Sequence, residues 1–325
     1  YTVPLNSIDF NQELKLIGGD VNGSYLYLTI EQENNSSLAA AVNSRAGTLL
    51  SGPATFTMFV VSGTRQREVT SYNNADVTRS FVLTSGSANP SEIAVVRWDN
   101  VLGDAVYAPT SVNATGSSTN VSFKLKSNGT FAVSGKSNRI YSDMNSHWAR
   151  NDVAILASKF IVDGPTRTKF APSQNITRAE FAKFIARGLG LPGDNSAAAK
   201  YSDVGANEAN AAYIGAVSNV GIVQGTADGK FKPNAPITRE EMATMMLRAM
   251  TYAGVQPASS TAVLSRFKDG GTVSNWARSA VAANIEAGVM NGISATLFKP
   301  KANATRAEAA VMVKRMLEYA ELLKS

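Results

Sequence analysis

Residues 175–191 read "NITRAEFAKFIARGLGL", and two later stretches, "PITREEMATMMLRAM" from Pro236 and "NATRAEAAVMVKRML" from Asn303, follow the same plan. Each opens with Thr-Arg-x-Glu. Counted from Arg178, offsets of 3, 6, 7, 10 and 11 hold Phe181, Phe184, Ile185, Gly188 and Leu189. The same offsets from Arg239 and Arg306 hold Met242, Met245, Met246, Ala249 and Met250, then Ala309, Met312, Val313, Met316 and Leu317. This 3-4 spacing lays one apolar stripe along each of three helices. The methionines are read as adaptable core filler.

The register extends upstream. A glycine lies 14 residues before each arginine, at Gly164, Gly225 and Gly292, inside "FIVDG", "GIVQG" and "GVMNG". A Phe-x-Pro follows each glycine, from Phe170, Phe231 and Phe298, and farther back Asp143, Asp203 and Asp269 open the units in "YSD", "YSD" and "FKD". So many fixed spacings define three tandem helix-loop-helix units, about 138–192, 198–254 and 264–325. Three matched stripes suit one another, and the expectation for 138–325 is an all-α pseudo-threefold trefoil around a central three-helix bundle.

Thr177, Thr238 and Thr305 fit N-cap positions, with Glu180, Glu241 and Glu308 completing capping boxes. Capping leaves the arginine unexplained, because at the first helical position its charge faces the positive end of the dipole. Two readings stay open. A helix N-terminus with free N–H groups and a guanidinium makes a site for a carboxylate or phosphate; alternatively, each arginine pairs with an acid of an adjacent unit and ties the units together. Trp148 and Trp276 recur 16 residues before Gly164 and Gly292. They are read either as stacking platforms for a sugar or as packed anchors of their helices. The glycines turn the chain or admit close approach of backbone.

Before about Ser137 the pattern is different. Short β-branched or alternating runs, among them "SYLYLTI", "ATFTMFVV", "EIAVVRW" and "VSFKLK", are bounded by turn formers such as Gly23, Gly63, Asn73-Asn74, Gly86 and Ser127–Gly129. The expectation for 1–137 is an all-β antiparallel sandwich, with "NSSLAAAVNSRAG" as a short helix or crossover. The fold class is thus multi-domain.

A chain of 325 residues has room for this division. It contains no cysteine and a single histidine, His147, which leaves no disulfide, no thiolate nucleophile and little scope for zinc or a Ser-His pair. No metal, cofactor or catalytic residue is expected. The acids of the β-half, such as Glu13, Asp20, Asp76, Asp99 and Asp104, carry no motif around them, and "TADGKF" supplies only Asp228 where a calcium loop needs several acids. The net charge of +6 is mild, and the arginines sit singly beside glutamates, so nucleic acid is not an expected partner. No apolar run is long enough to span a bilayer. Because Tyr1 opens mid-pattern, the chain is read as part of a longer polypeptide.

The Thr-Arg-Ala-Glu start, the Phe-x-Pro, the Gly-Ile-Val-x-Gly loop and the aromatic-x-Asp opening with a nearby Trp together resemble S-layer homology domains over about residues 141–325. That resemblance implies a trefoil that anchors extracellular proteins of Gram-positive bacteria non-covalently to the cell wall. The implied ligand is a secondary cell-wall polysaccharide, a peptidoglycan-associated glycan often carrying ketal-linked pyruvate on N-acetylmannosamine, bound in inter-unit grooves. Arg178, Arg239 and Arg306 would meet the pyruvate carboxylate, with Asp143, Asp203, Asp269, Gly164, Gly225 and Gly292 lining the grooves. Self-association in a structural S-layer lattice is the alternative role, and a carbohydrate-active enzyme fragment a further one. Ala209 replaces Trp in the second unit, with Tyr213 one turn on, so unequal grooves are expected, the second the weakest. "VTRSFVL…IAVVRWDNVLGDAVYAPTSV" resembles the β-domain preceding such triplets in surface proteins of Paenibacillus-like bacteria, which assigns it no activity.

Overall fold

The computed structural model describes residues 2–4, 8–70, 72, 75–84, 89–135, 141–205 and 207–323. The turn formers Asn73, Asn74 and Gly86 and the boundary placed at 137/138 lie outside the described residues. The chain divides into two compact units, 1–98 with 103–137, and 138–325 with 99–102.

The N-terminal unit runs α1 (Phe10–Ile17), β1 (Ser24–Gln32), α2 (Ser36–Ser44), β2 (Thr48–Leu49), β3 (Ala54–Ser62), β4 (Arg65–Glu68), β5 (Val77–Leu83), β6 (Ile93–Asp99), β7 (Asp104–Ala108), β8 (Thr110–Thr115), β9 (Ser118–Leu125) and β10 (Gly129–Gly135). A seven-stranded sheet has the order β1-β3-β10-β6-β7, with β2 on β10 and β4 on β3; a three-stranded sheet has the order β5-β9-β8. Alternation puts Phe56, Val95, Phe131 and Val133 of the first sheet against Val121, Phe123 and Leu125 of the second. Four rings interlock there, with Phe56 edge-on to Phe81, Phe123 and Phe131 at 5.6–5.9 Å. Farther along β3 the same face, through Met58 and Val60, packs with Leu14 of α1 instead.

The all-β expectation for this half is therefore corrected. Asn35 caps α2 by accepting from the Leu38 N–H, and Asp9 caps α1 from Gln12. "NSSLAAAVNSRAG" is a helix, whereas α1 carried no expectation of one.

The C-terminal unit contains α3 (Arg150–Ser158), α4 (Arg178–Gly188), α5 (Asn195–Ala198), α6 (Ala211–Asn219), α7 (Arg239–Tyr252), α8 (Arg278–Glu286) and α9 (Arg306–Tyr319), with 3₁₀ turns in its loops. The stripe residues of α4, α7 and α9 are all buried. The all-α label is nonetheless corrected here too. Long irregular loops separate the helices, isolated antiparallel bridges join the loops (Asn175 to Thr305, Thr177 to Pro236, Thr238 to Asn303), and the described residues of both units together are 34% helix and 23% strand.

The helices also pack differently from a simple central bundle. Apart from α5, which packs most extensively on α6, the main helix pairings are α4 with α6, α7 with α8 and α9 with α3, each joining one repeat to another, while α4 and α7 meet α9 more narrowly. The bridges close a main-chain ring: the Ile176 N–H donates to Ala304 O at 3.0 Å, Ala304 to Ile237 at 3.0 Å and Ile237 to Ile176 at 3.2 Å. Beneath each Phe-x-Pro, the middle residue is left-handed, at Ala171 (φ 58°), Lys232 (φ 60°) and Lys299 (φ 54°). Such a backbone costs a non-glycine residue about 1 kcal/mol, and the unit-opening aspartate supports it. Asp143 accepts from the N–H groups of Phe170 and Ala171 at 2.9 and 2.8 Å, and Asp203 and Asp269 repeat the arrangement on Phe231-Lys232 and Phe298-Lys299.

Candidate functional site

Each motif glutamate serves two repeats at once. One carboxylate oxygen of Glu241 accepts the Thr238 N–H at 2.9 Å and so completes the capping box of α7; the other accepts from Arg178 of the preceding repeat at 3.1 Å. Arg239 meets Glu308 in the same way at 3.2 Å, and Arg306 meets Glu180, closing the circle. The arginine Nε donates to the Phe-x-Pro carbonyl beneath it (Phe231, Phe298 or Phe170, 2.8–2.9 Å), and the guanidinium lies over that phenyl ring, 4.8–5.2 Å from its centroid. Arg239 and Arg306 are only 2% exposed.

The first of the two sequence readings for the arginine is thus corrected in its premise. The N–H groups of the first helical turn are not free: Arg178 and Ala179 donate to Ala235 O and Pro233 O, Arg239 and Glu240 to Ala302 O and Pro300 O, and Arg306 and Ala307 to Gln174 O and Pro172 O. Pairing with the acid of a neighbouring repeat, the alternative reading, is what the guanidinium does.

Grooves nevertheless form beside the arginines. One, of about 250 Å³, is lined by Arg178 of the first repeat, Gln224, Gly225, Glu241, Thr244 and Arg248 of the second and Trp276 of the third. Another, of about 290 Å³, is lined by Arg239 of the second repeat, Asn291, Gly292, Glu308, Val311 and Arg315 of the third and Trp148 of the first. Three repeats thus contribute to each. Both indoles are exposed, Trp148 by 65% and Trp276 by 59%, so they are not buried anchors of their helices.

At the third equivalent position Arg306 donates to the main-chain carbonyl of Asp163 at 2.6 Å. The Asp163 carboxylate lies 2.9 Å from Lys183 Nζ and 2.6 Å from Arg187 Nη1. Burial pushes that carboxyl upward, but Arg187 and Lys183 outweigh it and hold it well below the ordinary carboxylate range. Arg187 also donates to Tyr213 Oη at 3.0 Å, under the Tyr213 ring. Tyr213 belongs to the second repeat, where Ala209 stands in place of Trp.

Of the residues singled out in the sequence, the structure brings Arg178, Gly225 and Trp276 together, and Arg239, Gly292 and Trp148. Gly164 adjoins Asp163 near Arg306. Asp143, Asp203 and Asp269 are committed to the Phe-x-Pro turns. Sequence reasoning missed Arg187, Arg248 and Arg315, although each lies nine residues after a motif arginine; attention to the apolar stripe hid that identity. Among the described residues no cluster of three or more His, Cys, Asp or Glu is placed to hold a metal ion, and no helix is long and apolar enough to cross a membrane.

Residues 140–182, 200–243 and 266–310 each match the S-layer homology domain model. The chain is 34% identical to an amylopullulanase of Thermoanaerobacterium thermosulfurigenes over 235 residues, 72% of this chain and 12% of that protein. It is 36% identical to exoglucanase XynX of Acetivibrio thermocellus over 55% of this chain and 16% of the relative, and 32% identical to an S-layer protein of Bacillus thuringiensis subsp. finitimus over 56% and 21%. The chain therefore spans about a fifth or less of these relatives, and the matches cover the repeat region, the amylopullulanase match of 235 residues extending beyond it, but not the catalytic domains. The register of the repeats, the ring of arginine-glutamate pairs and these matches lead to one assignment: the C-terminal half of the chain is a tandem triplet of S-layer homology domains.

Proposed function

We propose that the repeat unit anchors the protein non-covalently to the bacterial cell wall, by holding an acidic secondary cell-wall polysaccharide in its grooves, with no chemical turnover. The place of the chain is at the extracellular cell wall. The observation that carries the reading is the pairing of an exposed indole with a basic floor in each described groove, Trp276 facing Arg178 and Arg248, and Trp148 facing Arg239 and Arg315. An indole stacks on the apolar face of a pyranose, and a guanidinium grips a carboxylate. A pyruvate ketal on N-acetylmannosamine supplies both surfaces. The relatives add a second support: proteins named for different glycan-cleaving activities and proteins named for surface layers share this segment, as a common attachment module would be shared.

The test uses the intact chain on purified bacterial walls, with and without their non-peptidoglycan glycan. Binding is expected to need that glycan and to fall on Trp148→Ala with Trp276→Ala, with thermal stability unchanged. Equal binding to stripped walls would refute the reading.

A further inference from the structure

At one pair of positions the three repeats share an arginine but differ in the side chain set against it. Nine residues after each motif arginine stands a second arginine, Arg187, Arg248 or Arg315, and just before each loop glycine stands the side chain that faces it, Asp163, Gln224 or Asn291. In the first repeat this is a carboxylate on a guanidinium at 2.6 Å. In the second, Arg248 donates to the neutral Gln224 Oε1 at 3.3 Å and to the Ile222 carbonyl at 3.4 Å. In the third, the Asn291 amide stands against Arg315, and the orientation that satisfies both groups turns its oxygen to Arg315 Nη1 at 3.1 Å and its nitrogen to Met290 O at 3.2 Å. Neither arginine has a carboxylate partner among the described residues, and each lines a groove.

We propose that Arg248 and Arg315 are the carboxylate-accepting groups of the two grooves, and that Asp163 is an internal substitute for the ligand's acid which keeps the third position filled. The proposal rests on the wall-glycan reading for the identity of the ligand, but not for the existence of the subsite. Charge supports it. Arg178 and Arg248 stand against Glu241 in one groove, and Arg239 and Arg315 against Glu308 in the other, so one bound carboxylate leaves each neutral. The first repeat has an added acid in Asp163 and an added base in Lys183, where the other repeats have Thr244 and Val311. Its arginine is also covered by Tyr213 rather than faced by an exposed Trp. The motif arginines, whose Nε and Nη groups are held by carbonyls and glutamates, set the floor; the second arginines make the specific contact. The ligand class is a glycan bearing single carboxylates, with two sites per chain.

The experiment moves the substitute acid into the open grooves. Gln224→Asp and Asn291→Asp are made singly and together in the full chain, with Gln224→Asn as the neutral control of the same length. The probe is the methyl glycoside of N-acetylmannosamine carrying a 4,6-linked pyruvate ketal, titrated by calorimetry. Wild type is expected to bind two equivalents, each single variant one, and the double variant at least about tenfold more weakly, while Gln224→Asn, which shortens the side chain without adding charge, is expected to weaken binding less than Gln224→Asp. A second readout needs no ligand: the introduced carboxylates, followed by carbon NMR, are each expected to titrate below the ordinary range, because a guanidinium stands beside each.

Unchanged binding in the double variant, or introduced carboxylates that titrate normally, would overturn the proposal, as would gain of a third site in wild type. If the introduced carboxylates are depressed and the probe still fails to bind wild type, the subsite stands and the wall-glycan reading falls.

Discussion

The ring edge of Tyr201 lies so close to Gly225 that a Cβ at residue 225 would fall 2.6 Å from Tyr201 Cε1, and 2.8 Å from the Lys230 carbonyl. Gly225 is also left-handed, at φ 74°. Gly225→Ala is expected to lose about 2 kcal/mol, overpacking and backbone strain together. Gly229→Ala isolates the strain, because Gly229 has φ 72° with nothing within 4 Å of its Cβ position, and is expected to lose about 1 kcal/mol. Denaturant unfolding of the two variants measures the difference.

Arg306 and Glu180 pair across 126 positions of sequence. Arg306→Met leaves Glu180 and the carbonyls of Phe170 and Asp163 without their donor, and a loss of about 3 kcal/mol is expected, as for one half of a buried ion pair. Arg306→Lys keeps the charge but not the fork, and is expected to recover only part of that loss. Equal stability of all three proteins in urea would show the arginine to have no structural role.

Thr177→Ala probes the capping box alone. The Thr177 hydroxyl accepts the Glu180 N–H at 3.1 Å, and about 1 kcal/mol is expected to be lost. The smaller figure follows from a neutral contact half open to water, and the order Arg306→Met above Thr177→Ala in urea checks the comparison.

The repeats, their helices and their stripes were legible because fixed spacing survives any change in composition: Met245 and Phe184 occupy one register and are both buried. The all-α and all-β labels failed for a different reason. The bridges at Asn175, Thr177 and Thr238 are single main-chain contacts with no periodic pattern to announce them, and α1 at Phe10–Ile17 is too short for a helical period to stand out. The grooves were half legible. Trp148, Trp276 and the glycines could be found by register, but which repeat each one faces depends on the cyclic order, so the missing Trp of the second repeat affects the position beside Asp163 rather than a groove of its own. The aspartates entered as groove-lining residues through the resemblance, and their recurrence alone does not separate a carboxylate aimed at solvent from one that holds a turn.

That last role has a pH signature. Burial raises the carboxyls of Asp143 and Asp269, but the N–H groups of Phe170 and Ala171, and of Phe298 and Lys299, outweigh it and hold both below their ordinary value. A carboxyl depressed on folding adds stability that is fully present above the unfolded value of about 3.9 and is lost as pH falls through the folded one. Asp143→Asn is therefore expected to be less stable than wild type at pH 7, with the gap narrowing towards pH 2. Urea unfolding at the two pH values measures it, and a gap independent of pH would show that the charge of Asp143 does not matter.

The three mutual hydrogen bonds among Ile176, Ala304 and Ile237 fix the copy number. An open stack of repeats can gain or lose a member at either end, because each added layer meets the same face as the last. Here the first repeat is already the neighbour of the third, so a fourth has no edge to join and a pair leaves two edges bare. The arrangement has no terminal repeat to cap, and a nascent chain cannot complete any one repeat's surroundings until the last has been synthesised. Assembly is therefore all-or-none in the literal sense of one closed loop of partners, and none of the closure passes through the segments at 192–199 and 254–263.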